Sequence, residues 1–227
     1  DGGYDAAFLA VGAHIAKRSY IPAGGAAKVL DAVQLLRSME GEAPPLLGRK
    51  VVIYGGGNTA IDAARTARRL GAEEAIIVYR RTREKMPAHD FEVEEALQEG
   101  VSMKWLSTIK TVDSGSMLIE KMALDDKGFP QPTGEFETLE ADSLVLALGQ
   151  DVDLSLLDHA PGIELENGVV KVGLDMMTGR MGVFAGGDMA PSERTVTVAV
   201  GHGKKAARYI DGYLRGAAYH AADKHGL

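Results

Sequence analysis

The 227-residue sequence contains no cysteine. The chain therefore has no disulfide, no thiolate nucleophile, no redox-active Cys-x-x-Cys pair and no cysteine-ligated iron–sulfur cluster of its own. Aromatic residues make up only 6% of the sequence, and there are 8 prolines against 28 glycines. With a hydrophobic fraction of 45%, this composition is typical of an α/β protein with many tight strand-to-helix turns, and not of a disordered or fibrous chain.

Long apolar runs are absent as well, since no stretch approaches the roughly 20 residues that a membrane-spanning helix requires. The first residues, Asp1 to Asp5, carry no export signal, which favours a cytoplasmic protein without a membrane partner. The formal net charge is −7, from 32 acidic against 25 basic side chains. Such a chain is unsuited to nucleic acid in general, so any cluster of basic residues needs a local explanation.

Other classes of chemistry lack the residues that they need. The six histidines are scattered singly, with no His-x-x-x-His or carboxylate pairing at a metal-ligand spacing, so no metal site is predicted. There is no Gly-x-Ser-x-Gly elbow and no phosphate-loop lysine, which leaves hydrolase and kinase functions without support. No side chain is predicted to act as a catalytic acid, base or nucleophile.

Hydrophobic periodicity divides the chain into strands and helices. It predicts a buried strand from Tyr4 to Gly12 and an amphipathic helix from Ala26 to Met39. A β-α-β unit follows, with a strand over 51–54, a helix over 59–70 and a strand over 75–79. The later predicted elements are a helix over 89–99, short strands between 108 and 148 with turns at 113–115, 126–128 and 133–134, strands at 168–172 and 183–185, and a helix over 196–214.

A glycine-rich turn follows the first strand of the β-α-β unit and opens its helix. Gly55 permits a tight turn, Gly57 lets backbone approach a pyrophosphate, and the small Ala60 allows close packing of helix and strand. The helix N-terminus favours an anion, so the turn predicts a dinucleotide site; a glycine-rich turn without a ligand is the alternative. Asn58 and Thr59 can cap the helix or donate hydrogen bonds to phosphate. The residues predicted to contact the dinucleotide here are Gly55, Gly56, Gly57, Asn58 and Thr59.

Two arginines, Arg80 and Arg81, follow the second strand of the unit. An NAD site usually has an Asp or Glu near this point, about 20 residues after the glycines, which binds the ribose 2′-hydroxyl. Guanidinium groups suit a 2′-phosphate instead, because their forked donors bind phosphate oxygens in pairs and their charge does not titrate away. The pair therefore favours NADP(H) over NAD(H). Arg83 and Lys85 extend the basic patch, for which a solvated surface cluster is the alternative interpretation.

The segment GGGNTAIDAARTARRLGAEEAIIVYRRTREKMPA resembles the NADPH-binding segment of the glutamate synthase small (beta) subunit. It is also similar to the FAD and NADPH module of dihydropyrimidine dehydrogenase, and the resemblance extends over essentially the whole chain. It implies an α/β fold in which a Rossmann-like, three-layer NAD(P)-binding domain is inserted in a FAD-binding domain, as in flavoproteins with two dinucleotide-binding domains. The implied domains are residues 1–20 and 149–227 for FAD and 21–148 for NADPH.

The resemblance also implies a flavin site in the last part of the chain. The segment VFAGGD, from Val183 to Asp188, resembles the second FAD motif of the family. In that motif Gly187 lets backbone approach the ligand and Asp188 accepts hydrogen bonds from ribityl hydroxyls; a helix cap or turn aspartate is the alternative for Asp188. The other residues implied to bind cofactors are Gly149, near the nicotinamide, and Thr195, Val196 and Thr197, at the start of the last helix and near the isoalloxazine.

Two parts of the family, the cysteine-rich iron–sulfur region and the first glycine-rich FAD turn, have no counterpart in this sequence. We therefore expect a piece of a flavin-dependent oxidoreductase that transfers hydride between NADP(H) and FAD and passes electrons to iron–sulfur clusters. Those clusters would lie upstream or in a partner, such as a large amidotransferase or other catalytic subunit. The alternative is an isolated nucleotide-binding module that binds NADP(H), retains no FAD and has no activity alone. The missing Cys-x-x-Cys pair argues against a thioredoxin-reductase-like enzyme.

Overall fold

The structure is a computed structural model that describes residues 3–17, 21–24, 28–39 and 45–216. The chain divides into two compact units. The outer unit consists of Asp1–Ile15 and Gln150–Leu227, and the central unit is Ala16–Gly149. The sequence predicts these boundaries between 20 and 21 and between 148 and 149, and the assignment of each unit to a cofactor stays a prediction.

The described residues form fourteen strands and four α-helices. The strands are β1 (Ala7–Leu9), β2 (Ile15–Ala16), β3 (Val29–Asp31), β4 (Lys50–Gly55), β5 (Glu74–Val78), β6 (Val101–Lys104), β7 (Ser107–Asp113), β8 (Ser116–Leu124), β9 (Pro130–Glu140), β10 (Ser143–Ala147), β11 (Gln150–Asp151), β12 (Leu165–Glu166), β13 (Val169–Val170) and β14 (Val183–Ala185). The helices are α1 (Ala32–Ser38), α2 (Asn58–Arg69), α3 (Asp90–Gln98) and α4 (Val196–Leu214), with short 3₁₀ turns at Arg83–Lys85, Ser155–Leu157 and Gly187–Met189.

The central unit is built on a five-stranded parallel sheet with the spatial order β3, β10, β4, β5, β6. Helix α2 connects β4 to β5, and α3 connects β5 to β6. Strand β10 follows the antiparallel meander β7-β8-β9 and returns to lie between β3 and β4. Its register pairs Ser143 with Val51 and Ala147 with Gly55, so the carboxyl ends of β4 and β10 lie side by side.

Alternate side chains of β4 enter two separate cores, because successive residues of a strand point to opposite faces. Val51 and Ile53 pack among the helices, where Ile61 of α2 is fully buried. Val52 and Tyr54 pack instead with residues of the meander β7-β8-β9. The layers are therefore helices, parallel sheet and meander, and the expected three-layer α/β fold is confirmed.

In the outer unit, β1 pairs in parallel with β14. Helix α4 begins after Thr195, whose hydroxyl accepts a hydrogen bond from the backbone N–H of Val198 at 3.2 Å. The buried ring of Phe184 packs edge to face on Tyr213 of α4, with ring centres 6.1 Å apart. These contacts join the strand pair to the last helix, which has the bounds that the sequence predicts.

The predicted helix over 26–39 is wrong in its first part. Val29–Asp31 forms the edge strand β3, and the helix begins only at Ala32; residues 26 and 27 lie outside the described residues. Asp31 is the N-cap, since its carboxylate accepts the N–H groups of Val33 and Gln34 at 2.9 and 3.0 Å. An aspartate inside the apolar pattern was the available sign of this helix start.

Two strand predictions also need correction. The strand predicted from Tyr4 to Gly12 is limited to Ala7–Leu9, and Phe8 within it is 39% exposed rather than buried. The turn predicted at 133–134 lies inside β9, where the register against β8 shifts. Gly134 has a φ of +78°, so this glycine serves a bulge that bends a continuous strand instead of ending it.

Asp142, which lies just before β10, allows a test of the hydrogen bonds that join the start of β10 to the start of β4. Its Oδ2 accepts the N–H groups of Lys50 and Arg49 at 2.8 and 2.7 Å, and these bonds hold the pKa of Asp142 below its ordinary value. A depressed pKa means that the stabilisation is present above the unfolded-state pKa and is lost as the pH falls through the folded-state pKa. We expect Asp142→Ala to lower the free energy of unfolding by about 1 kcal/mol at pH 7.

The difference between wild type and Asp142→Ala should shrink below about pH 4, the ordinary pKa of an aspartate. Urea unfolding of both proteins at pH 7 and pH 3 measures it. A difference of the same size at both pH values would contradict the role given to the carboxylate.

Candidate functional site

A cavity of about 500 Å³ opens at the carboxyl ends of β4 and β10. The carboxyl edge of a parallel α/β sheet is where such folds bind ligands. All the residues that line the cavity belong to the central unit. The sequence-predicted residues among them are Gly55, Gly56, Gly57, Thr59, Arg80, Arg81 and Gly149.

Two glycines of the turn are required by the packing of the protein itself. Gly55 has a φ of +151°, and a Cβ at this position would lie 2.1 Å from the carbonyl oxygen of Ala147. At Gly56 a Cβ would lie 2.4 Å from the ring of Tyr79. Neither distance is compatible with a side chain, so both positions must be glycine for the turn to close.

Gly57 differs from the two glycines before it, because no atom of the described residues, apart from its chain neighbours, lies within 4 Å of the place where its Cβ would be. It is the N-cap of α2, with a φ of −90°, and makes no side-chain capping bond. The first N–H groups of a helix have no partner inside the helix, and the helix dipole favours an anion beside them. The open space at Gly57 therefore lies where negative charge is stabilised.

The structure excludes the capping role considered for Asn58 and Thr59, because both lie within α2 and Gly57 is the N-cap. Thr59 lines the cavity. The side-chain oxygen of Asn58 accepts the backbone N–H of His89 at 3.1 Å, at the N-cap of α3. Asn58 thus connects the starts of two helices and is not among the described residues that line the cavity.

Arg80 and Arg81 bring two guanidinium groups to this cavity. Arg80 is exposed and Arg81 is half-buried. The carbonyl of Arg81 accepts the N–H of Leu106 at 3.1 Å, and its guanidinium carbon lies 6.0 Å from the ring centre of Phe129. Within the described part of the chain, the Nε of Arg81 is buried without a hydrogen-bond partner. An unsatisfied donor on a cation beside a cavity is a place where an anionic ligand gains strong hydrogen bonds.

The neighbouring Arg83 is placed differently from this pair. It forms an ion pair with Glu94 of α3, and the hydrogen bond it donates to Glu94 raises the pKa of Arg83 above its ordinary value. Burial raises the pKa of the Tyr79 hydroxyl, and the positive charges of Arg81 and Arg80 partly offset this rise. The structure therefore separates the arginine pair from the rest of the basic patch.

Sequence reasoning missed several residues that line the cavity, among them Lys17, Tyr54, Tyr79 and Pro87. Tyr79 donates its hydroxyl to the carbonyl of Lys85 at 2.7 Å, and its ring packs edge to face on Trp105 with centres 6.4 Å apart. Its position between a buried strand and the arginine pair was a usable sign. Lys17, whose N–H donates to the carbonyl of Gly149 at 2.9 Å, belongs to a segment that no local pattern marks.

In the outer unit, Gly187 and Asp188 lie in the 3₁₀ turn that follows β14. The N–H of Gly187, which has a φ of +62°, donates to Nδ1 of His202 at 3.2 Å and holds this turn against α4. A Cβ at Gly186 would lie 2.9 Å from the ring of Phe8, so the chain is tightly packed just before the turn. Asp188 is not a cap of an α-helix, which leaves the turn as its structural alternative.

The start of α4 is open to solvent. The Thr195 hydroxyl is occupied by its capping bond, whereas the side chains of Val196 and Thr197 are exposed, that of Val196 to 82%. The sequence-predicted residues of the outer unit therefore form two short segments. Gly187 and Asp188 lie before α4, and the residues from Thr195 to Thr197 lie at its start.

The described residues contain no group of three or more His, Asp or Glu side chains that could hold a metal ion. Among the same residues, no helix is both long enough and apolar enough to cross a membrane.

A parallel sheet with a glycine turn at its carboxyl edge, inserted into a second α/β unit, defines the class of proteins built from two dinucleotide-binding domains. The chain belongs to the pyridine nucleotide-disulphide oxidoreductase family, whose sequence profile matches residues 2–203.

The relatives found by comparison are longer proteins. The chain is 40% identical over 229 residues to the NADP(+)-dependent formate dehydrogenase subunit beta of Moorella thermoacetica, aligning 93% of this chain with 32% of that protein. It is 30% identical over 240 residues to the glutamate synthase (NADPH) small chain of Escherichia coli (strain K12), aligning 93% of this chain with 51% of that one. The resemblance to glutamate synthase small subunits is thereby confirmed, and the chain spans about a third to a half of these relatives.

A solved structure supports the fold. The thioredoxin reductase of T. acidophilum superposes with a TM-score of 0.73 at 19% identity, covering 93% of this chain and 66% of that one. At this level of identity the match concerns the fold alone.

Gly55→Ala and Gly57→Ala distinguish a glycine required by packing from one that is not. We expect Gly55→Ala to lower the free energy of unfolding by about 3 kcal/mol or more, because the added Cβ meets the Ala147 carbonyl in a strained conformation. Gly57→Ala should cost less than about 1 kcal/mol, the usual difference at an N-cap. Urea unfolding followed by Trp105 fluorescence measures both values, and equal losses would contradict the distinction.

Proposed function

We propose that the central unit binds NADP(H), with the pyrophosphate at the glycine turn and the 2′-phosphate at Arg80 and Arg81. The observation that carries this proposal is that the turn and the arginine pair line one cavity. The turn supplies an open helix N-terminus at Gly57, and the pair supplies two guanidinium groups, one of them with an unsatisfied buried Nε. Phosphate groups fit both places for the same electrostatic reason.

The preference for NADP(H) over NAD(H) follows from the end of β5. The 2′-phosphate is the only group that distinguishes the two nucleotides, and it is a dianion for most of its population at neutral pH. The residues after β5 read Tyr79, Arg80, Arg81, without the carboxylate that would bind a ribose 2′-hydroxyl and repel a phosphate. The names of the two relatives, one NADP(+)-dependent and one NADPH-type, support the same choice.

Gly149 completes the proposed nucleotide site at the far side of the cavity. It follows β10 with a φ of +92°, and among the described residues other than its chain neighbours no atom lies closer than 4.0 Å to the place of its Cβ. Backbone without a side chain leaves room for a flat ring, which supports the expectation that the nicotinamide lies near Gly149.

For the outer unit we propose a part of a FAD site, formed by Gly187, Asp188 and the residues from Thr195 to Thr197. The positive φ of Gly187 and the tight packing of Gly186 against Phe8 hold the turn in a conformation open only to glycine. The Asp188 carboxylate would accept hydrogen bonds from ribityl hydroxyls, and the exposed start of α4 would face the electron-rich edge of the flavin. A flavin bound there would supply the acceptor for hydride from NADPH, and the protein residues would bind and align the two cofactors.

The activity proposed for the whole protein is hydride transfer between NADP(H) and FAD, followed by electron transfer to iron–sulfur clusters. Since this chain has no cysteine, other parts of the protein or a partner would ligate those clusters. The relatives are named as a subunit beta and a small chain, which supports a place in a complex with a larger catalytic subunit, for example an amidotransferase. A cytoplasmic location stays a prediction from the sequence.

Alanine at both Arg80 and Arg81 tests the nucleotide site. Because each charge-assisted hydrogen bond is worth about 1.5 to 3 kcal/mol, we expect the double variant to bind NADPH about 100-fold more weakly or worse. NADH binding should change by less than about threefold, since NADH has no 2′-phosphate. Isothermal titration calorimetry with both nucleotides measures the effect.

Arg83→Ala is the matched control for this experiment, because Arg83 is a neighbouring arginine already paired with Glu94. It should leave the affinity for NADPH within about threefold of wild type. If the double variant loses affinity equally for NADPH and NADH, a 2′-phosphate site at the pair is ruled out.

Flavin content distinguishes the oxidoreductase from the module that binds NADP(H) alone. The FAD site is supported if the purified chain shows flavin absorbance. This absorbance should be weaker in Asp188→Ala and unchanged in the control Asp158→Ala. Asp158 suits the control because it lies in a different turn of the same unit, after Ser155–Leu157. A colourless chain that still binds NADPH, with or without added FAD, supports the module.

A further inference from the structure

The hairpin of β8 and β9 ends beside the arginine pair. Phe129, at its tip, is 53% exposed, and its ring centre lies 6.0 Å from the guanidinium carbon of Arg81. This is the outer limit of the distance at which a cation and an aromatic ring attract each other. Exposure alone is ordinary for a single apolar side chain, and what distinguishes Phe129 is its place beside an arginine that lines the cavity.

The tip of the hairpin is held rigidly by one carboxylate. Oδ1 of Asp125 accepts the N–H groups of Phe129 and Lys127 at 2.8 and 3.0 Å, and Oδ2 accepts Nε2 of Gln131 at 3.1 Å. The backbone adds a bond from the N–H of Asp125 to the carbonyl of Phe129 at 2.9 Å. The position of Phe129 is therefore set by a network of hydrogen bonds and not by the ring alone.

The same hairpin also holds the main chain of Arg81. The carbonyl of Arg81 accepts the N–H of Leu106, and the carbonyl of Leu106 accepts the N–H of Met122 in β8 at 2.7 Å. Leu106 has a φ of +48°, which an ordinary residue adopts only when its surroundings require it. The β8–β9 register shifts opposite Gly134, next to this point, and the tip that holds Phe129 lies further along the hairpin. Both the backbone and the side chain of Arg81 thus depend on β8 and β9.

An aromatic ring within cation–π distance of a guanidinium restricts its movement without using any of its hydrogen-bond donors. The buried Nε of Arg81 has no partner among the described residues, so the guanidinium keeps a donor that its own surroundings do not satisfy. We propose that Phe129 is a positioning residue for Arg81, which holds the guanidinium ready for the 2′-phosphate and so sets the preference for NADP(H). The proposal rests on the nucleotide site proposed for the cavity.

The test uses the whole 227-residue chain with leucine or tyrosine at position 129. Phe129→Leu keeps an apolar side chain but removes the ring, and we expect NADPH to bind about 3- to 10-fold more weakly with NADH within about twofold of wild type. Phe129→Tyr keeps the ring and should restore NADPH binding to within about twofold of wild type. Calorimetric titrations of wild type and the two variants with both nucleotides give six dissociation constants and the NADPH-to-NADH ratio for each protein.

Phe136→Leu is the matched control, because Phe136 lies in β9 of the same hairpin, is similarly exposed at 51% and pairs with Glu120, away from the hairpin tip. Both nucleotides should bind to it as to wild type. A second variant, Asp125→Ala, removes the side-chain bonds that fix the tip and keeps the phenyl ring of Phe129 in the sequence. It should weaken NADPH binding selectively, by about as much as Phe129→Leu. Equal melting temperatures of the variants and wild type show that a selective loss does not come from unfolding.

The outcomes separate the role of Phe129 from the site itself. If Phe129→Leu loses affinity equally for NADPH and NADH, the ring contacts a part common to both nucleotides. This result would overturn its role as a positioning residue. A selective loss in the Arg80 and Arg81 variant with none in Phe129→Leu would overturn that role alone. A wild-type chain that does not distinguish the two nucleotides would overturn the nucleotide site, and the role of Phe129 with it.

Discussion

The close approach of Gly55 to the carbonyl of Ala147 is the constraint on which the cavity depends. Only a hydrogen atom fits between the end of β4 and the end of β10, and the turn into α2 starts from this contact. Strand β10 reaches its place after the whole meander, as the bond between Lys50 and Asp142, 92 residues apart, illustrates. A turn that looks local in the sequence is therefore held in shape by packing between distant parts of the chain.

Elements formed by neighbouring residues were predictable from the sequence. Strand β4, helix α2, strand β5 and the arginine pair follow one another directly, and each has its own pattern of apolar, glycine or basic residues. Where pairing with a distant strand decides the structure, local patterns were insufficient. The segment at Val29 has helical spacing but pairs with β10, and Gly134 resembles a turn residue but lies opposite a register shift in β8. Lys17 reaches the cavity for the same nonlocal reason.

The basic patch shows why residue type alone does not define a site. Arg81 and Arg83 are two residues apart and chemically identical, but their partners differ. Glu94 of α3 pairs with Arg83, whereas the Nε of Arg81 lacks a partner among the described residues and its guanidinium carbon lies 6.0 Å from the ring centre of Phe129. Glu94 and Phe129 both come later in the chain than the two arginines. The difference between Arg81 and Arg83 therefore depends on α3 and the β8–β9 hairpin.

The glycine turn and the arginine pair, the two halves of the proposed nucleotide site, differ in how far they are buried. Gly55 and Gly56 are enclosed by backbone and by the ring of Tyr79, so their replacement disturbs the sheet itself. Arg80 is exposed, Arg81 is half-buried, and neither belongs to the two cores on the faces of the sheet. In the proposed site, the groups that would bind the part common to all pyridine nucleotides are thus required by the fold itself, whereas the groups that would distinguish NADP(H) from NAD(H) lie outside both cores. A change of nucleotide preference made at positions 80 and 81 would therefore leave the glycine turn and the parallel sheet as they are.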